Sequence, residues 1–162
     1  MNTNQLYLML VYSEVILSHM ETEYKPQIRV ALDACWSFLE NKNKTGKELY
    51  SLLDDGTDFK GIFIYMQLDE NEDNIPSWDN LSYVIGATAR EAYLLDNQQQ
   101  LPSPLENIDS SLVDLFNENL KEINIDFYNH LEEIKGFLKN DCPPSRNIAL
   151  QTLESLGLLE GI

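Results

Sequence analysis

Residues 25–55 read KPQIRVALDACWSFLENKNKTGKELYSLLDD and predict a helix, a short polar turn and a second helix. Pro26 suits the first turn of a helix, where its missing N–H costs no hydrogen bond. Thr45 and Glu48 match a capping box, which marks the start of the second helix. The first helix gains an apolar face because Ile28, Leu32, Cys35, Trp36 and Leu39 recur at helical spacing.

Apolar periodicity outside this hairpin predicts five more helices, at about residues 5–20, 59–68, 77–95, 109–139 and 145–157. The segment 59–68 also fits a strand, but its helical surroundings favour a helix. No proline interrupts 109–139, and although the chain could bend near Asn124, the continuous apolar stripe favours one long helix. The sequence therefore predicts an all-α, single-domain bundle of about seven helices over residues 1–162, with one long helix in the C-terminal half.

The chain has 162 residues, a net charge of −16 and a sequence pI near 4.2. A protein this acidic repels nucleic acids and anionic membranes and attracts basic surfaces. The apolar run at residues 6–12 follows no basic residue and is too short to span a membrane, so it predicts a buried helix rather than a signal peptide. Cys35 suits the core and Cys142 a loop, where it could be exposed. Their separation gives no metal-binding spacing, and we expect a reduced, cytoplasmic protein.

Residues suited to catalysis or cofactor binding are sparse. His19 and His130 have no nucleophile placed near them in the sequence. Residues 69–80 resemble a calcium-binding loop at first, but Asn74 and Asn80 stand where that loop needs glycine and glutamate. No phosphate-binding or nucleophile-elbow motif occurs. We therefore expect neither an enzyme nor a bound metal or cofactor.

The acidic residues are concentrated between residues 54 and 79, where eight acids accompany one base, Lys60. They fall in two groups on either side of the predicted helix 59–68, with Tyr65 and Trp78 nearby in sequence. Aromatic side chains surrounded by charges are typical of protein interfaces. The acids of the predicted long helix instead favour a solvated helix face: Asp114, Glu118, Glu122, Asp126, Glu132 and Glu133.

The hairpin also resembles the central signature of an all-helical family of immunity proteins from bacterial polymorphic-toxin and contact-dependent inhibition systems. The matching residues are Arg29, Ala31, Leu32, Trp36, Leu39, Glu40, Gly46, Leu49, Tyr50, Asp54 and Asp55. A second similar block spans residues 80–101, so that the resemblance covers about residues 20–120. It implies an inhibitor that binds a cognate toxin domain, and the acidity of the chain suits a toxin with a basic cleft, such as an RNase or DNase.

The resemblance and the charge together predict a toxin-binding surface that occludes the active site of the toxin. Its candidate residues are Asp54, Asp55, Asp58, Asp69, Glu70, Glu72, Asp73, Trp78 and Asp79. Two alternatives fit the same composition: an acidic helical adaptor, and a nucleic-acid mimic that binds another basic protein. An inhibitor would protect cells from a toxin, whereas the adaptor would not. Broad binding to unrelated basic proteins would indicate the nucleic-acid mimic. The sequence leaves the oligomeric state open.

Overall fold

The structure is a computed structural model that describes residues 1–57, 59–97, 100–138 and 143–160. Within these ranges it contains nine α-helices and no strand. The predicted all-α bundle is confirmed. The helices are α1 (Thr3–His19), α2 (Lys25–Asn41), α3 (Gly46–Leu53), α4 (Ile62–Leu68), α5 (Ile75–Leu95), α6 (Ser111–Ile123), α7 (Ile125–Asn129), α8 (Leu131–Leu138) and α9 (Arg146–Ser155).

Helices α1 and α5 form the centre of the bundle. Every residue of α1 from Leu6 to Leu17 is buried, as expected for a helix that is apolar on most of its circumference. It contacts α2, α5, α6, α8 and α9, and α5 in turn contacts α2, α3, α4 and α6. The described part of the chain contains no helix long and apolar enough to cross a membrane.

The hairpin of α2 and α3 follows the prediction closely. Helix α2 ends where Lys42 adopts a left-handed backbone conformation (φ 55°). The Thr45 hydroxyl accepts from the N–H of Glu48 at 3.1 Å, and the Glu48 carboxylate accepts from the N–H of Thr45 at 3.0 Å. This reciprocal pair is the predicted capping box.

The ambiguous segment 59–68 is helical, but its helix begins only at Ile62. Gly61 precedes it with φ +111°, a conformation that other residues rarely adopt. A side chain on Gly61 would also collide with the backbone carbonyl of Leu53. The chain therefore passes tightly against the end of α3 before α4 starts.

The prediction of one long helix over residues 109–139 was wrong. Three helices, α6, α7 and α8, occupy this stretch, and the additional breaks give nine helices where about seven were expected. Asn124 adopts an extended backbone (φ −165°, ψ 121°), and its side chain accepts from the N–H of Asp126 at 2.9 Å, which caps α7. The Tyr12 hydroxyl donates to the carbonyl of buried Phe127 at 2.7 Å. In an unbroken helix that carbonyl would accept from the N–H of Leu131, four residues later.

The prediction for Cys35 is confirmed, since its side chain is completely buried. Burial raises the pKa of the Cys35 thiol to about 12, so the thiol stays protonated and unreactive at neutral pH. Cys142 lies outside the described residues.

Candidate protein interface

The first acidic loop follows α3 and exposes Asp54 and Asp55. The N–H of Gly56 donates to Asp54 Oδ1 at 3.0 Å, and Thr57 donates to Asp55 Oδ1 through its N–H (2.9 Å) and its hydroxyl (2.6 Å). The hydrogen bonds from Thr57 lower the pKa of Asp55. Asp55 is therefore ionised at neutral pH on an ordered turn. Asp58 lies outside the described residues.

The second acidic loop connects α4 to α5 and is held together by Asp69. Asp69 Oδ2 accepts from the Trp78 indole Nε1 at 2.8 Å and from the Asn74 side-chain amide at 2.9 Å, and Oδ1 accepts from the N–H of Asn71 at 3.0 Å. Partial burial acts to raise the pKa of Asp69, but these hydrogen bonds outweigh it and the net shift is downward. The Asp69 carboxylate thus shapes the loop.

Glu70, Glu72 and Asp73 project from the second loop into solvent. None of the three forms an ion pair within the described residues. Their charges are therefore available to a partner. Because α4 separates the two loops, their exposed acids lie at its two ends. Seven helical residues span about 10 Å, so both groups fall within the width of one protein interface.

The remaining predicted site residues have other surroundings. Trp78 is only 1% exposed, so its ring belongs to the core, and its indole N–H donates to Asp69. Tyr65 is half-buried and stacks on Tyr24 with ring centroids 4.9 Å apart. Asp79 lies near Glu122 of α6, and burial, with the charge of Glu122 as the smaller contribution, raises its pKa. It therefore faces α6 rather than the acidic loops.

An ion-pair network that the sequence analysis missed is centred on buried Glu14 and joins α1, α2 and α9. Glu14 is 4% exposed and accepts from the Arg29 guanidinium at 2.8 and 2.6 Å and from the Trp36 indole at 3.0 Å. Asp33 accepts from Arg29 at 2.9 Å and pairs with Arg146 of α9, also at 2.9 Å. The signal was a single glutamate inside an apolar helix, which needs a basic partner. The signature residues Arg29 and Trp36 are therefore structural.

Both histidines have structural partners as well. His19 contacts the carbonyl of Leu158 through Nε2 (2.7 Å) and the carboxylate of Glu160 through Nδ1 (2.9 Å), which fastens the C-terminal segment to α1. His130 Nδ1 lies 2.8 Å from the carbonyl of Asp126. Among the described residues, no group of three His, Cys, Asp or Glu side chains is arranged to hold a metal ion.

These features define an all-helical protein whose acidic loops are ordered and exposed at both ends of one short helix. A comparison with protein families identifies it further. The family model of immunity protein Imm6 matches residues 4–123, which is well over half of the chain, and the chain belongs to this family. Comparisons with curated proteins and with solved structures found no match.

Proposed function

We propose that this protein binds a cognate toxin domain in the cytoplasm and neutralises it by covering the active site, without catalysing a reaction itself. Family membership is the observation that carries this proposal, because immunity proteins act on toxins. Cytoplasmic action agrees with the free thiol of Cys35, since disulfides are rare in that compartment.

We further propose that the toxin is a nuclease. The net charge of −16 creates a negative field that attracts a basic substrate groove and speeds the encounter with it. A nuclease needs such a groove to bind phosphates, and the carboxylates of an inhibitor can take the place of those phosphates. The side chains suited to this task are the exposed acids of the two loops: Asp54, Asp55, Glu70, Glu72 and Asp73.

Titration calorimetry against the toxic C-terminal domain encoded immediately upstream tests the proposal. We expect one-to-one binding of nanomolar affinity or tighter, weakened at high salt because salt screens exposed charges. Absence of binding between two folded proteins would contradict the proposal for this pair. It would favour the helical adaptor instead.

Charge reversal tests the contribution of the second acidic loop. The triple variant Glu70→Lys, Glu72→Lys, Asp73→Lys should slow association and reduce the salt dependence. Asp69 is left unchanged because it holds the loop together. The matched control reverses three other exposed acids, Asp114, Glu133 and Glu154, and changes the net charge equally. If both triple variants slow association to the same extent, the second loop has no special role.

A further inference from the structure

Helix α4 exposes apolar side chains that nothing in the described structure covers. Its sequence is IFIYMQL, yet only Ile62 is buried. Leu68 is 58% exposed, and Phe59, just before the helix, is 83% exposed. Ile64 is half-buried, and because it is four residues before Leu68 it lies on the same side of the helix. We call Phe59, Ile64 and Leu68 the α4 surface.

The opposite side of α4 has its partners within the bundle. The helix contacts α3 and α5, and Phe63, Tyr65 and Met66 pack against the core. A helix that is apolar on most of its circumference normally belongs in the interior of a protein. This one is covered on one side only, so its outer side has the composition of an unfilled interface.

The two acidic loops border the α4 surface at its ends. Asp54 and Asp55 lie before it in the chain and Glu70, Glu72 and Asp73 after it; α4 itself contains no charged residue, and Lys60, exposed beside Phe59, is the one base between the two loops. Protein interfaces share this arrangement, in which charges are depleted at an apolar centre and surround it at the rim. Buried apolar anchors mainly set the dissociation rate of a complex, and rim charges mainly set its association rate.

We propose that the α4 surface is the apolar centre of the toxin-binding interface and that it docks onto an apolar patch bordered by Lys and Arg. This inference rests on the proposed function, since it takes the toxin domain as the partner. Charge complementarity selects that occupant over a second copy of the chain. Both ends of α4 are acidic, so two copies would place like charges opposite each other whether their helices ran parallel or antiparallel.

The experiment measures binding rates of the toxin domain to the double variant Phe59→Ala, Leu68→Ala. We expect the dissociation rate to rise roughly thirtyfold or more, with the association rate and its salt dependence nearly unchanged. The control is the double variant Phe137→Ala, Leu115→Ala. It removes side chains of the same types that are 54% and 53% exposed, on α8 and α6. This control should bind like the wild type.

Each other outcome overturns a different statement. Wild-type affinity in the α4 double variant, with the wild type itself binding tightly, would refute the α4 surface and leave the proposed function intact. Failure of the folded wild type to bind would refute both. If sedimentation showed a wild-type dimer that the double variant dissociates, the occupant would be a second copy. Circular dichroism checks that the variants fold, which we expect because Phe59 and Leu68 are mostly exposed.

Discussion

Glu14 shows at the scale of single residues how the fold uses charge internally. Among the described residues it is the one charged side chain that is buried. Burying a carboxylate is costly unless it is paired and hydrogen-bonded, and Arg29 and Trp36 satisfy both conditions. Arg29 benefits in turn: burial opposes its charge, but Glu14 and Asp33 outweigh that effect and raise its pKa.

Removing this carboxylate should destabilise the protein substantially. We expect Glu14→Ala to lower the free energy of unfolding by about 3 kcal/mol, because the Trp36 indole loses its acceptor and the Arg29 guanidinium loses its two-point partner and keeps only Asp33. The control is Asp33→Ala, whose side chain is 48% exposed and whose loss should cost about 1 kcal/mol or less. Urea denaturation measures both values. Equal losses in the two variants would show that the buried carboxylate of Glu14 stabilises the protein no more than the exposed one of Asp33.

At the scale of helices, Gly46 lets α3 approach α5 closely. A side chain at this position would overlap the ring of Tyr93 on α5. Gly46 is one of the residues on which the sequence resembles the family, and like Arg29 and Trp36 it has a structural role. It also holds α3 in the position from which the first acidic loop leaves.

Two helical glycines should therefore respond oppositely to alanine. Gly46→Ala is expected to lower the free energy of unfolding by about 1–3 kcal/mol, through overpacking against Tyr93. Gly136→Ala, in α8, should raise it by up to about 1 kcal/mol, because nothing lies near the new methyl group and alanine favours a helix. Thermal or urea unfolding distinguishes them. Stabilisation in both variants would mean that α3 is not confined by Tyr93.

The helices themselves could be predicted where local chemistry determines them. Thr45 and Glu48 are such a case, since their capping box needs only residues three positions apart. The break at Asn124 could not be predicted from periodicity, because apolar steps of three or four continue across it. At the next break, between α7 and α8, a tertiary contact is present: Tyr12, more than a hundred residues away in sequence, donates to the Phe127 carbonyl.

The positions of the acidic residues were predictable in part from the sequence. Clustering of acids around α4 is visible in the sequence, and the structure places both groups at the ends of that helix. The burial of Trp78 and the exposure of Leu68 depend on which side of each helix meets the core. In the sequence, Trp78 and Leu68 are both apolar residues of neighbouring predicted helices, and the pattern alone does not tell which of them is buried. Only the packing of α4 and α5 shows that Trp78 is a core residue and that Leu68 is exposed.

At the scale of the whole molecule, an all-helical core supports a strongly negative surface. Most charges contribute little to the stability of the fold, and a net charge of −16 opposes compaction through self-repulsion. Such a charge is useful in an inhibitor that must reach a basic target quickly. The α4 surface would then hold the target after the encounter.

The most direct test of this account is a nucleic-acid cleavage assay with the purified toxin domain, titrated with this protein. We expect cleavage of RNA or DNA to fall in proportion to the protein added and to stop at one equivalent, because each bound molecule covers one active site. The Phe137→Ala, Leu115→Ala variant should inhibit equally well. An active toxin domain that keeps cleaving in the presence of excess protein would contradict the central claim.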